Sequence, residues 1–182
     1  MSKKIFVVVE GPDASGKTSI AKELANRINA IYFERTPDLR ADTFKQHEIG
    51  YYENLGRKLS LQIEKKIEKS SVVIARYIYS ISAIFYANTC KIRPVIKDVI
   101  EPDYIIYCYA NSKTLIERIK KRSENGEPLS YIEKDPQKYK RLCERYEDLF
   151  KKGTNIIKID TSNKTIAESV SKILSLLKSD FH

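Results

Sequence analysis

A ten-residue stretch near the N-terminus, EGPDASGKTS, directly follows an apolar run at residues 5–9 and precedes a segment with helical periodicity. Gly11, Gly16, Lys17 and Thr18 match the pattern G-x-x-x-x-G-K-[ST]. Glycines at these positions let backbone N–H groups close around phosphate oxygens, and the positive end of the following helix points at them. Because the strand before and the helix after are the context this motif requires, the stretch predicts a phosphate-binding loop.

Within this loop Lys17 is predicted to reach the β and γ phosphates of a nucleotide, and Thr18 to offer its hydroxyl to Mg²⁺. The predicted nucleotide-binding residues of the loop are Gly11, Pro12, Asp13, Ala14, Ser15, Gly16, Lys17 and Thr18. A GTPase would also contain such a loop, together with an Asn-Lys-x-Asp motif for guanine. The nearest string, NKTI at residues 163–166, lacks the aspartate, which argues against a GTPase.

Five short apolar runs, at residues 5–9, 31–33, 72–74, 104–109 and 156–159, lack strict alternation and therefore indicate strands buried on both faces. Between them, apolar residues recur at spacings of three and four, which indicates helices with one buried stripe. These stripes are Ile20, Leu24 and Ile28; Leu55, Leu59, Ile63 and Ile67; Leu115, Ile116 and Ile119; and Ile166, Val170, Ile173, Leu174 and Leu177. The alternation predicts a three-layer α/β fold, a five-stranded parallel sheet with helices on both faces.

The length of 182 residues and the hydrophobic fraction of 42% suit one domain. The net charge of +9 allows an anionic partner, but a charged, solvated surface explains the same excess equally well. Aromatic-interleaved basic patches are not evident, so we do not expect a nucleic-acid partner.

Cys90, Cys108 and Cys143 form no CxxC pair and lie near no histidine cluster, which predicts reduced packing residues in a cytosolic protein rather than a zinc site. The apolar run before the loop is far shorter than the roughly 20 residues that span a membrane. We therefore expect a cytoplasmic protein that makes no membrane contact.

Four places in the chain carry a resemblance to a known family, the first of which includes the loop: VVVEGPDASGKT, ERTPD, ARYIYSISA, and the pair EPDYIIYCYANSKTLIERIKKR and YIEKDPQKYKRLCERYEDLF. Together they resemble the thymidylate kinase family of P-loop nucleoside monophosphate kinases over nearly the whole chain. The resemblance implies one kinase domain over residues 1–182, a short lid at about residues 120–135, ATP and Mg²⁺ as cofactors, a nucleoside monophosphate acceptor and a homodimer.

The resemblance also implies roles for single residues. Asp13 lies near the acceptor sugar, and Arg35 holds the acceptor phosphate, with Thr36 where family members have an aromatic residue. Arg76 and Ser80 keep their places in the family's Asp-Arg-Tyr motif and contact the substrate.

Two arginines, Arg118 and Arg122, fall where the family's lid begins. Arg118 is thereby implied to contact the nucleotide. Lys17, Arg76 and Arg122 are the predicted catalytic residues, since positive charge around the transferred phosphoryl group supplies most of the catalysis. Arginine suits this role because its planar fork binds phosphate through two hydrogen bonds.

The base-reading segment, YYENLGR, departs from the family's spacing of an aromatic residue four positions before an arginine. Tyr52 and Arg57 are the candidates for contact with the base. A half-buried tyrosine packed beside a surface arginine is the competing interpretation.

Alanine stands at position 75, where the family has the aspartate that helps to organise Mg²⁺. Three explanations follow. Glu10 holds the magnesium waters and forms the metal site with Thr18; or the enzyme is slow; or the protein binds nucleotides with weak or no catalysis. The expected activity is ATP- and Mg-dependent conversion of dTMP to dTDP, with relaxed acceptor choice left open. A deoxynucleoside kinase is the other alternative, and the phosphate-holding role of Arg35 argues against it.

Overall fold

The computed structural model describes residues 3–34, 49–92 and 95–177. The strands are β1 (Phe6–Glu10), β2 (Ile31–Phe33), β3 (Val72–Ala75), β4 (Tyr104–Tyr109) and β5 (Ile156–Asp160). The helices are α1 (Lys17–Arg27), α2 (Ile49–Ile67), α3 (Ile78–Thr89), α4 (Ser112–Glu124), α5 (Pro136–Leu149) and α6 (Ile166–Leu177).

The five strands form one parallel sheet in the order β2-β3-β1-β4-β5, which confirms the predicted architecture. Strand β1 lies at the centre. Its last residues lie opposite the ends of both neighbours, with Val9 paired with Ala75 and Glu10 with Tyr107. The phosphate-loop motif therefore leaves the sheet at its middle, where the carboxyl ends of β1, β3 and β4 meet.

Both faces of β1 are buried, as the continuous apolar runs predict. Val7 and Val9 belong to the core formed with α1 and α6, whereas Phe6 and Val8 pack with α2 and α3 on the opposite face. All four side chains are fully buried, and each contributes about 1.5–3 kcal/mol through removal from water. This two-sided core fixes the central strand and the loop that follows it.

The helical stripes are confirmed in α2, where Leu55, Leu59 and Ile63 are buried. In α4 the prediction is wrong for Ile116, which is 60% exposed, whereas its neighbour Leu115 is buried. Adjacent residues on an α-helix point about 100° apart, so only one of the pair faces the sheet.

Residues 120–124 belong to α4, so the predicted lid begins inside a helix rather than in a loop. We call residues 125–135, which connect α4 to α5, the lid segment; that it moves stays a prediction. Within the described ranges, no helix is both long enough and apolar enough to cross a membrane.

The three cysteines are free thiols. Cys108 is buried in the core as predicted, and burial raises its pKa to about 12, so it remains protonated. The packing prediction is wrong for Cys90, which is exposed because it terminates α3 with a left-handed backbone.

Candidate active site

The loop between β1 and α1 has a backbone that only glycine can adopt at its first turn. Gly11 has a φ of +147°, and a Cβ there would lie 2.1 Å from the carbonyl oxygen of Cys108. Gly16 is the N-cap of α1 in the left-handed conformation. Because glycine has no capping side chain, the first N–H groups of α1 remain available to an anion at the positive end of the helix.

Lys17 lies over this loop with only 4% of its surface exposed. Its ammonium group donates to the carbonyl oxygen of Pro12 at 2.9 Å and lies 3.3 Å from Oδ1 of Asp13. The side chain is therefore already folded back over the turn where the motif places phosphate.

Arg76 directly follows β3 and connects the sheet to the loop. Its guanidinium pairs with Oδ1 of Asp13, the same oxygen that Lys17 approaches. Its backbone is left-handed, with a φ of 66°, and its N–H donates to the carbonyl oxygen of Val9 at 3.0 Å. Such a conformation costs a non-glycine residue roughly 1–2 kcal/mol, so neighbouring contacts must hold it.

Glu10, at the end of β1, is fully buried. Its Oε1 accepts the backbone N–H groups of Tyr77 at 2.6 Å and Ser80 at 3.3 Å, and its Oε2 accepts the Tyr146 hydroxyl at 3.2 Å. Both oxygens therefore accept hydrogen bonds from the protein. The predicted role of Glu10 in holding magnesium waters stays a prediction.

Ser80, predicted to contact the substrate, is only 1% exposed. Its hydroxyl donates to the carbonyl oxygen of Tyr77 at 2.7 Å, within the first turn of α3. Its contact with an acceptor also stays a prediction.

The two arginines of α4 have different partners. Arg118 donates to the carbonyl oxygens of Ala14, at 3.2 Å, and Thr161, at 2.6 Å, and so joins the loop to the residue after β5. Arg122 pairs with Glu133 of the lid segment, whose side chain is only 3% exposed. Both guanidinium groups lie on the same side of the loop as α4.

Two cavities flank the loop. The phosphate-loop cavity, of about 560 Å³, is lined by Lys17, Thr18, Arg118 and other residues of α1 and α4. The lid cavity, of about 400 Å³, is lined by the lid segment together with side chains of α3 and α5 such as Ile84 and Tyr146.

The two cavities share three lining residues among those described: Asp13, Arg76 and Arg122. A ligand in each cavity would therefore meet the other beside one carboxylate and two guanidinium groups. The phosphate-loop cavity also contains Lys17 and Lys121, so positive charge predominates there. This arrangement suits two anionic ligands whose reacting groups meet at the boundary.

The remaining predicted acceptor contacts are those of Arg35, Tyr52 and Arg57, and Arg57 is not among the described residues that line these two cavities. Arg35 lies outside the described residues, and so does the side chain of Tyr52. Arg57 is exposed on α2 and lies 3.7 Å from Asp98, a surface pair that adds little stability. Their proposed contacts with the acceptor stay predictions.

Two tyrosines of α5 contact the site and were not predicted from the sequence. The Tyr139 hydroxyl donates to the backbone carbonyl of Asp13 at 2.6 Å, and the Tyr146 hydroxyl donates to Glu10. Burial raises the pKa of Tyr139, so its hydroxyl stays protonated and can donate. With Leu142, these residues have the spacing of an ordinary buried stripe, which does not reveal where the hydroxyls point.

The residues present fit a magnesium ion bound mainly through phosphate. Within residues 3–34, 49–92 and 95–177, no group of three or more His, Cys, Asp or Glu side chains could enclose a metal. Mg²⁺ needs no such cage, because it keeps several waters and takes few protein ligands beside phosphate oxygens. Thr18 is exposed at the wall of the phosphate-loop cavity, where its hydroxyl could supply one ligand.

Comparisons with known proteins find a matching family model and similar chains. A family model described as thymidylate kinase matches residues 39–173. A probable thymidylate kinase of Methanocaldococcus jannaschii is 27% identical, and the match covers 100% of both chains.

Two solved structures share the fold. The thymidylate kinase from Candida albicans has a TM-score of 0.73 at 18% identity, over 98% of this chain and 93% of that one. The deoxyadenosine kinase from M. mycoides, with dCMP and a flexible dCDP bound, has a TM-score of 0.67 at 16% identity, over 96% and 100%.

Proposed function

Because the chain belongs to the thymidylate kinase family, we propose that it transfers the γ-phosphoryl group of ATP to the phosphate of dTMP, forming dTDP and ADP. As a member of this family, the chain is a phosphotransferase. The observation that supports transfer between two bound nucleotides is the pair of cavities that meet at Asp13, Arg76 and Arg122. ATP occupies the phosphate-loop cavity and the monophosphate occupies the lid cavity.

Phosphoryl transfer requires mainly positioning and positive charge, because the transition state is loose and its charge spreads over the equatorial oxygens. Lys17 at the loop, Arg76 at the end of β3 and Arg122 at the end of α4 approach the boundary from three elements. Mg²⁺, held by Thr18 and the phosphates, would neutralise charge on the β and γ oxygens.

Asp13 forms ion pairs with Arg76 and Lys17. Bound phosphates would compete with the Asp13 carboxylate for these two cations. Asp13 would then be free to accept a hydrogen bond from the acceptor sugar, the role that the family resemblance implies.

The remaining parts of the proposal are a relaxed choice of base, a homodimer and a cytoplasmic location. The departure from the family spacing around Tyr52 and Arg57 supports relaxed choice. The family match does not favour the alternatives, an inactive nucleotide-binding homologue and a deoxynucleoside kinase.

A panel of acceptors tests the proposed function. Purified protein with ATP and Mg²⁺ is offered dTMP, dUMP, dCMP, dAMP, dGMP and their ribose forms, and separately thymidine, and the phosphorylated product of each acceptor is measured by chromatography. We expect the highest kcat/KM with dTMP. Absence of the diphosphate of every acceptor would refute the proposal, and phosphorylation of thymidine without phosphorylation of dTMP would identify a nucleoside kinase instead.

Ala75→Asp restores the carboxylate of the family motif beside Arg76 and is expected to raise kcat several-fold at low Mg²⁺. The reason is that Ala75 ends β3 next to Arg76, where a carboxylate could orient the waters of a phosphate-bound magnesium ion. The measurement is kcat against Mg²⁺ concentration.

Ala75→Asn is the matched control, because it has nearly the same shape as aspartate without its charge, and we expect no gain from it. The Tm of both variants is recorded, since position 75 is only 9% exposed and a buried charge destabilises. An unchanged, already fast rate in Ala75→Asp would show that another group places the magnesium.

A further inference from the structure

Helix α3 begins without a cap from its own chain segment. Its N-cap residue, Tyr77, makes no side-chain capping bond, yet the N–H group of Ser80, three residues on, is accepted by Glu10 of β1. That N–H is one an N-cap Ser or Asp normally accepts. Glu10 therefore caps α3 from a neighbouring strand, and a carboxylate suits the positive end of a helix.

Strand β1 also holds the backbone on both sides of the left-handed residue Arg76. Its own N–H donates to the backbone carbonyl of Val9, and the next N–H, of Tyr77, donates to the side chain of Glu10. Consecutive residues of β1 thus hold the consecutive N–H groups on both sides of the strained φ of 66°. Without the second bond, Arg76 could relax toward a common backbone conformation.

The Glu10 side chain is 0% exposed, and a carboxylate is rarely buried so completely without specific partners. Its second oxygen accepts from Tyr146, which also lines the lid cavity. The carboxylate therefore joins the first turn of α3 to α5 beneath the point where Arg76 meets Asp13.

We propose that Glu10 is a positioning residue, whose buried carboxylate clamps the start of α3 and so holds the Arg76 guanidinium at the boundary of the two cavities. The inference rests on the proposed function, since Arg76 acts there on the transferred phosphoryl group. It differs from the metal-binding role predicted for Glu10, because here the carboxylate acts through the protein rather than on magnesium waters.

A double-mutant cycle tests the clamp. Glu10→Gln keeps an acceptor for the two N–H groups but loses the charge, and we expect kcat to fall about tenfold with the KM for ATP unchanged. In an Arg76→Ala background, Glu10→Gln should lower kcat by less than about twofold. The reason is that the effects of substituting two residues that act as a unit are not additive. Additive losses would overturn the inference.

Further variants separate positioning from general stability and from metal binding. Glu10→Ala is expected to lower kcat about a hundredfold or more, and kcat in Glu10→Gln should be restored most of the way to the wild-type value. If Glu10→Ala fails to fold, Glu10→Gln still tests the clamp, and so does Tyr146→Phe, which removes the hydroxyl that donates to Glu10. A higher Mg²⁺ requirement in Glu10→Gln would overturn the inference in favour of metal binding.

Glu168→Ala is the matched control. Glu168 also caps a helix, accepting from the N–H of Thr165 at the start of α6, which contributes no residue to the site. We expect it to lower the Tm and leave kcat unchanged. An equal fall in kcat would show that the Glu10 effect is only general destabilisation.

A crystal structure of Glu10→Gln without ligand gives a readout that does not depend on turnover. We expect Arg76 to leave the left-handed region or its guanidinium to leave Asp13. If Arg76 keeps both, the clamp is refuted even in an active enzyme. If the wild-type protein phosphorylates nothing in the acceptor panel, the proposed function fails, and this structure still tests the clamp by itself.

Discussion

Lys17→Ala is expected to lower kcat for phosphoryl transfer by about a thousandfold or more. Lys17 is the cation of the loop that lies against Pro12 and Asp13, and its ammonium group is almost fully shielded from water. Charge in such a site stabilises the transition state strongly, because water does not screen it. The measurement is initial-rate kinetics with ATP, Mg²⁺ and dTMP.

Lys22→Ala is the matched control for this prediction. Lys22 is an exposed residue of the same helix, and its ammonium group lies 5.4 Å from the centre of the Tyr32 ring. Its loss should leave kcat within about twofold of wild type, as is usual for surface positions. Equal Tm values for the two variants would show that the loss in Lys17→Ala is not unfolding. Near-normal turnover by Lys17→Ala would refute the assignment of the loop.

The sheet could be predicted from the sequence almost to the residue. Strands β1 and β3 are buried on both faces, so each is a nearly continuous apolar run whose ends are visible in the printed sequence. The edge strand β5 differs, because Lys158 and Asp160 are exposed there, yet its three isoleucines still mark its position. Helix faces were less certain where apolar residues are adjacent. Ile116 shows this, since only the packing of α4 decides which of two neighbours is buried.

The position of the phosphate loop could be predicted because a local motif specifies it, and the family resemblance pointed to Arg76. The hydrogen-bond partners of Glu10 could not be predicted, because Tyr77 and Tyr146 are separated from it by 67 and 136 residues. A carboxylate at the end of a strand can point at a ligand or under the next helix, and the sequence around it is the same in both cases. Only the tertiary contact decides between them.

The lid segment illustrates the same limit. Arg122 was predicted from its position at the start of the lid, but its ion pair with the buried Glu133 depends on how residues 125–135 fold back. The backbone N–H of Ser130 also donates to Glu133 at 2.8 Å, so this carboxylate organises the turn. A family resemblance places an arginine approximately and does not supply its partner.

Arg76→Ala is expected to lower kcat by about a thousandfold, and Arg76→Lys by about a hundredfold. The guanidinium lies at the boundary of the two cavities and forms an ion pair with Asp13. A phosphate that displaces Asp13 can accept two hydrogen bonds at once from the planar guanidinium. Lysine keeps the charge but loses this fork, so its rate should lie between alanine and wild type.

Arg27→Ala is the matched control for Arg76, because Arg27 lies in the last turn of α1 and its Nε donates to Glu23 at 2.8 Å on the surface. The KM for ATP and the KM for dTMP are measured separately in each variant. Since Arg76 borders both cavities, a loss confined to the transition state should lower kcat more than it raises either KM. If Arg76→Ala changed only the KM for dTMP, Arg76 would be an acceptor-binding residue, and the convergence of donor and acceptor on its guanidinium would be wrong.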